Sequence, residues 1–201
     1  MAGKAIVGLI VGSFRTHGNT EGIASWVQYY VKSLYPDITL KVYTPVSPIN
    51  LMSEPIDPVV PMKISSPEQY VNPIVRSWAK AVQECNAYVI LTPEYNHSYS
   101  GHLKVMFDHI YNEFRGKPGT LLTFSGHGAE KSYEELTNLT LKFGVKITGG
   151  MHFSIPMEYV VSNKRIVSNF DPNSSQDSFL KKLTPSLVSE LEKTLDSLRY
   201  Q

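Results

Sequence analysis

The sequence predicts an α/β fold, a doubly wound sheet of five parallel strands in the order 2-1-3-4-5 with helices on both faces. Strand-like and helix-like segments alternate along the chain, a pattern that favours a parallel sheet covered on both sides. The run Ala87-Tyr88-Val89-Ile90-Leu91 has the nearly continuous apolar, β-branched character of a strand buried on both faces. A glycine-flanked turn, Gly12 to Gly18, joins the first strand to the first helix. In this strand order the chain reverses its winding between strands one and three, and open α/β sheets bind ligands at the carboxyl ends of the strands flanking such a point.

Strand one is Ala5 to Val11, and the helix after the turn runs from about Asn19 to Tyr35, with Ile23, Val27, Tyr30, Val31 and Leu34 as its apolar stripe. Pro36 ends it. Strand two, Ile38 to Tyr43, enters a proline-rich stretch from Pro45 to Pro67 that keeps Ile, Leu, Met and Val throughout and therefore reads as ordered surface loop. Asn72 and Pro73 form an N-cap and N1 pair for a helix with Ile74, Val75, Trp78 and Val82 on one face. After strand three and the loop Thr92 to Gly101, the residues Leu103, Met106, Phe107, Ile110, Tyr111 and Phe114 have the spacing of one helical face. Pro118 to Phe124 is strand four, and a capping box at Ser132 and Glu135 opens a helix that Gly144 closes. Val145 to Ile155 is strand five. Thr184 and Pro185 then cap a last helix carrying Leu187, Leu191, Leu195 and Leu198.

Composition narrows the function. A chain of 201 residues fits one domain, 1–201, and buries about 70% of the surface its unfolded form exposes, so it needs neither disulfide nor metal to fold. The 19 basic and 18 acidic side chains leave a net charge of +1, without the basic stripe that nucleic-acid binding requires. The single cysteine, Cys85, excludes an internal disulfide and is expected to fill a small apolar space. No His pair has convincing metal spacing, since His102 and His109 lack a carboxylate set between them. The opening residues run directly into a strand, and no apolar stretch approaches the roughly 18 residues that span a bilayer, so the expected location is the cytoplasm.

Three loops carry the chemistry. The first contains Ser13, Phe14, Arg15, Thr16, His17, Gly18, Asn19 and Thr20 and leads into a helix N-terminus. Backbone N–H groups, the helix dipole, two hydroxyls, an amide and a guanidinium make it an anion site suited to phosphate. The second, Thr92 to Gly101, offers a proline, two aromatics, an amide and a serine, which give a planar heterocycle an apolar wall and polar edges. The third, Ser125-Gly126-His127-Gly128, has glycines that let backbone approach a flat ring. His127 reads more simply as a loop residue than as an acid or base, and His97 and His102 lie close by.

From Lys4 to about Pro156 these motifs resemble the NAD(P)H-dependent FMN reductases, a family of flavodoxin-like quinone and flavin reductases. The resemblance rests on G-S-x-R after strand one, P-E-Y-N after strand three, L-K-x-x-x-D in the next helix and G-x-G after strand four. It implies FMN bound with its phosphate at Ser13, Arg15, Asn19 and Thr20, beside Gly18. The ring edge would then meet Pro93, Glu94, Tyr95, Asn96 and Ser98, with Ser125, Gly126, His127 and Gly128 at the other edge. Many members carry Ser or Arg where Gly18 stands and a second glycine where Ala129 stands, so one phosphate ligand is missing here. The family's helix after P-E-Y-N commonly packs against a second subunit. Lys104 and Asp108 in that helix are spaced equally well for an ordinary intrahelical pair.

The resemblance further implies NADPH or NADH as co-substrate, a homodimer or higher oligomer, and a ping-pong cycle. The acceptor would be a quinone, flavin, azo compound or ferric chelate, and no catalytic acid, base or nucleophile is required of the protein. An alternative is a flavodoxin-like electron carrier or redox-responsive FMN-binding partner without significant turnover, against which the near-neutral charge and the P-E-Y-N motif both weigh.

Overall fold

The structure is a computed structural model that describes residues 4–15 and 17–198. Met1 to Gly3, Thr16 of the first loop and the last three residues of the chain, Arg199 to Gln201, lie outside the described residues. The elements in order are β1 (Ile6–Val11), α1 (Asn19–Leu34), β2 (Thr39–Tyr43), α2 (Pro73–Glu84), β3 (Ala87–Tyr95), β4 (Ser98–Tyr99), α3 (Gly101–Asp108), β5 (Pro118–Ser125), α4 (Glu130–Lys142), β6 (Lys146–Ser154), α5 (Glu158–Val161) and α6 (Ser178–Leu195). The parallel strands lie in the order β2-β1-β3-β5-β6, with β4 pairing antiparallel to the end of β3. This is the doubly wound order read from the sequence, with one short hairpin strand added.

Strand alternation distributes the core to two layers. Val7, Leu9, Val11, Val89 and Leu91 pack with Ile23, Trp26 and Val27 of α1 and Leu187, Leu191 and Leu195 of α6. Their neighbours Ile10, Tyr88, Ile90 and Leu121 face the opposite way, onto Trp78, Phe107 and Leu136 of α2, α3 and α4. Both layers are buried, which is why the central strands read as continuous apolar runs.

Asn72 caps α2 as its sequence predicts, its Oδ1 accepting from the Ile74 and Val75 amides at 2.8 and 3.4 Å. Ile74 itself faces outward, while Val75, Trp78 and Val82 are buried. In the long connection before α2, Leu51 and Ile64 are buried pegs, Ile64 lying between two 3₁₀ turns, Pro61–Lys63 and Pro67–Gln69.

Strand three, read to Leu91, runs on to Tyr95, and three helices differ in extent from the sequence reading. The helix read through Phe114 stops at Asp108 and resumes as a 3₁₀ turn, Asn112–Phe114. Side chains take over the backbone there: Glu113 Oε2 accepts from the Tyr111 amide at 3.1 Å, and Asn112 Nδ2 donates to the Met62 and Ile64 carbonyls at 3.1 and 2.7 Å. The apolar face survives this break, because Leu103, Met106, Phe107, Ile110 and Phe114 are all buried within the chain. Lys104 and Asp108 pair with each other across one turn.

Helix α4 begins at Glu130, so Ser132 is its third residue and not its cap. The turn before it is wound tightly by Ser125, whose Oγ accepts from the His127 and Ala129 amides, each at 3.0 Å. The capping role passes to Glu94, whose Oε2 accepts from the Ser132 amide at 3.2 Å. Helix α6 begins at Ser178, placing Thr184 and Pro185 in its interior. An interior proline costs about 3 kcal/mol through its missing donor and its clash with the preceding turn. The earlier start buries Leu180 completely and positions Thr184, whose Oγ1 accepts from Trp26 Nε1 at 3.1 Å.

Candidate active site at the sheet's carboxyl edge

The first and second loops are locked together at Gly12. Its amide donates to the Leu91 carbonyl at 2.7 Å, and its own carbonyl accepts from Ser100 Oγ. A Cβ on Gly12 would come within 2.9 Å of both Leu103 Cβ and Thr92 Oγ1, so only glycine allows β1 to end so close to β3 and α3. Beyond it α1 starts at Asn19 with Gly18 as N-cap, and among the described residues no side chain caps the first turn. Its first amides therefore face outward with the positive end of the dipole, the arrangement that binds anions.

The second loop is a hairpin. β3 continues through Pro93 and Glu94 to Tyr95, then turns on Asn96 and His97, at φ of 52° and 63°, into β4. A two-residue turn with both φ values positive matches the right-handed twist of the strands it joins. Asn96 and His97 are thereby held at a rigid tip. The third loop, Ser125 to Ala129, is closed by the Ser125 hydroxyl as described above.

These loops enclose a cavity of about 370 Å³, lined by Arg15, Gly18, Asn19, Thr20, Pro93, Glu94, Tyr95, Asn96, His97, Phe124, Ser125, Gly126 and His127, with Ile155, Tyr159, Val160 and Arg165 completing the wall. Eleven of the residues singled out from the sequence thus meet at one place. Ser13, Ser98 and Gly128 are not among the lining residues and are held by side-chain contacts instead. Ser13 Oγ lies 2.9 Å from the Tyr95 hydroxyl, Ser98 Oγ donates to Glu135, and the Gly128 carbonyl lies 3.0 Å from His152 Nδ1.

Asn19 lines the cavity, and its amide also bonds two backbone groups of another segment. Nδ2 donates to the Tyr159 carbonyl at 2.7 Å, and Oδ1 accepts from the Ile166 amide at 3.1 Å. Glu94 is likewise occupied at the start of α4. Arg15 lies over the Tyr95 ring, its guanidinium carbon 4.5 Å from the centroid.

The segment from Pro156 to Asp177 was not read from the sequence as part of any site. It crosses the start of α1 so closely that a Cβ on Gly22 would lie 2.7 Å from the Ile166 carbonyl oxygen. The Asp177 carboxylate anchors its far end by accepting from the Tyr159 hydroxyl at 2.6 Å and the Val167 amide at 2.8 Å. Burial, followed by this bond to a carboxylate, pushes the Tyr159 hydroxyl pKa up. The available signal was the basic pair Lys164-Arg165 just beyond the apolar run Tyr159-Val160-Val161.

Chemically, the cavity brings uncapped helix amides and two arginines together with Pro93, Tyr95, Phe124 and Ile155 as apolar walls and Asn96 and His127 as polar edges. That donor set fits a group with a phosphate at one end and a flat ring at the other, as FMN has.

The family described as NADPH-dependent FMN reductase matches residues 6–159. The chain belongs to this family. The NAD(P)H-dependent FMN reductase of Saccharomyces cerevisiae is 27% identical over 174 residues, covering 85% of this chain and 91% of the yeast protein. One from Schizosaccharomyces pombe is 28% identical over 131 residues, covering 65% of this chain and 63% of its own. Among solved structures, a flavoenzyme NAD(P)H:(acceptor) oxidoreductase from Paracoccus denitrificans superposes with a TM-score of 0.58 at 19% identity, covering 94% of this chain and 98% of that one. A Streptococcus pneumoniae flavodoxin gives 0.55 at 12% identity, covering 93% and 97%. The two structures establish the flavodoxin-like fold. As a member of the NADPH-dependent FMN reductase family, the chain is an oxidoreductase that uses FMN with NAD(P)H as electron donor.

Proposed function

We propose that this reductase takes two electrons from NADPH and passes them to a flat acceptor, a quinone, flavin, azo compound or ferric chelate, with donor and acceptor visiting the same face in turn. The observation that carries this reading is the cavity itself. It opens at the carboxyl ends of β1, β3 and β5 between two loops that can clasp a ring by its edges.

Bound FMN supplies the redox chemistry. The chain supplies its seat: Arg15, Thr20 and the first amides of α1 for the phosphate, and Pro93, Tyr95, Asn96 and His97 along one side of the ring. Phe124 to His127 lie along the other. Ser13 acts through Tyr95 by fixing that ring's position. Glu94 and Ser98 brace the hairpin against α4, Glu94 at the Ser132 amide and Ser98 at Glu135. The preference for NADPH over NADH rests on the family alone.

Residues 1–201 would work as one domain, in the cytoplasm and as a homodimer. Among the described residues no helix is long and apolar enough to cross a membrane. Two measurements test the activity. The purified protein should be yellow and release FMN on heating, and initial rates with NADPH and a quinone should give parallel double-reciprocal lines. A colourless protein that fails to take up FMN would overturn the cofactor assignment. Intersecting lines without mutual competition would overturn the shared face.

A further inference from the structure

We infer that Arg165, from the segment that follows β6, is a second phosphate-binding arginine of the flavin site, which it joins from outside the β1-α1 loop. The inference rests on the FMN reading above and deepens it.

Arg165 lines the cavity together with Arg15, Gly18, Asn19 and Thr20, at the end where α1 begins. Its guanidinium is anchored on the loop itself, Nε donating to the His17 carbonyl at 2.8 Å. Nη1 donates to the Ser162 and Lys164 carbonyls at 2.7 and 2.6 Å. All these acceptors are neutral. Among the described residues no carboxylate pairs with Arg165, and the nearby Glu158 is held by Lys164 at 2.5 Å. The cation is thus positioned by three backbone oxygens and left with its charge uncompensated at the cavity wall.

The demand for such a charge follows from the rest of the loop. A phosphate monoester carries between one and two negative charges at neutral pH, and a helix N-terminus offers about half a positive one. The Asn19 amide is committed to Tyr159 and Ile166, the Ser13 hydroxyl meets Tyr95, and Gly18 has no side chain. Arg15 and the helix end together supply about 1.5 positive charges, short of the two negative charges of a fully ionised phosphate, and Arg165 makes up that shortfall. The commitment of Asn19 acquires a purpose in the same arrangement. By gripping Tyr159 and Ile166 it fixes the segment on both sides of Arg165, so that the guanidinium is delivered to the loop in a set position.

Comparing FMN with riboflavin, which lacks the phosphate, isolates this role. Apo-protein is titrated with each flavin by fluorescence quenching, in wild type, Arg165→Met and Arg165→Lys. Arg165 is exposed, and an unchanged thermal midpoint of each apo-variant confirms folding. Arg165→Met is expected to weaken FMN by about 10- to 100-fold, the range of a lost charge-assisted hydrogen bond, and to leave riboflavin unaffected. Arg165→Lys should fall between, because it keeps the charge and loses the Nε–H that holds His17. Equal FMN affinity in Arg165→Met and wild type would overturn the inference. So would an equal loss for FMN and riboflavin, which would make the residue a brace for the segment alone. Failure of wild type to bind FMN would instead sink the cofactor reading on which the inference rests.

Discussion

The Tyr95 hydroxyl lies 2.9 Å from Ser13 Oγ, joining the hairpin that follows β3 to the loop that follows β1. The same tyrosine ring lies beneath the guanidinium of Arg15. One aromatic side chain therefore sets the geometry of both loops, and a group bridging them would meet a preorganised surface. Preorganisation of this kind improves affinity by removing ordering costs from the binding step.

Arg15→Ala is expected to weaken FMN binding by about 1.5–3 kcal/mol, the worth of a hydrogen bond to a charged group. Arg15 is exposed and makes no core contact, so the fold should be retained. Titration of the apo-protein measures the loss, and unchanged affinity would mean that the β1-α1 loop does not hold the phosphate.

Asn19→Ala is expected to loosen the segment 156–177 from α1. It removes the partners of the Tyr159 carbonyl and the Ile166 amide together, and part-buried groups left unsatisfied cost about 1–3 kcal/mol. Urea unfolding should show the lower midpoint, and limited proteolysis should cut within 156–177 sooner than in wild type. Equal midpoints and equal cleavage would show that Asn19 does not hold the segment.

The sheet order and the three loops were legible in the sequence because each leaves a local trace. Buried strands leave apolar runs, and a glycine turn before an amphipathic helix marks the anion site. The Asn96-His97 turn left no such trace, since neither residue is glycine and the φ values are imposed by pairing of Glu94 with Tyr99 and Tyr95 with Ser98. The cap of α4 was misplaced for a related reason. Ser132 and Glu135 have the right spacing, but the capping carboxylate comes from Glu94, distant in sequence. Pro185 misled in the same way, because burial of Leu180 outweighs a helix penalty that is visible locally. Arg165 went unread because the pair Lys164-Arg165 reads locally as solvated charge, while its partner, the His17 carbonyl, is a backbone acceptor without a sequence signature.

An exposed apolar depression offers the expected subunit contact a second site besides α3. Val71 is 63% exposed and Ile56 52%, and with Ile74 they line one shallow apolar depression beside Pro55, Pro58 and Pro73. Such a patch on a surface of near-zero net charge suits self-association. Light scattering at low micromolar concentration is expected to give twice the chain mass of 22.6 kDa, and Val71→Lys combined with Ile74→Lys should restore the monomer. A wild-type mass of 22.6 kDa would remove the dimer, and a double variant that stays dimeric would remove this patch as its interface.

Acid should destabilise the fold through His109. Its side chain is fully buried, Nδ1 has no hydrogen-bond partner among the described residues, and Nε2 lies 3.4 Å from the Leu51 carbonyl. Burial lowers its pKa below the ordinary 6.5, and the Leu51 carbonyl, Asp108 and Glu54 offset only part of that. The unfolded chain then takes up this proton before the folded one does. The stability that the neutral ring contributes is fully present above pH 6.5 and is lost as the pH falls toward the folded pKa. Its slope is at most about 1.4 kcal/mol per pH unit for one proton. Urea unfolding of wild type and His109→Gln at pH 7.5, 6.5 and 5.5 should show the wild type losing more stability than the variant, chiefly over the lower interval and much less over the upper one. Parallel profiles throughout would show that His109 is not the group responsible.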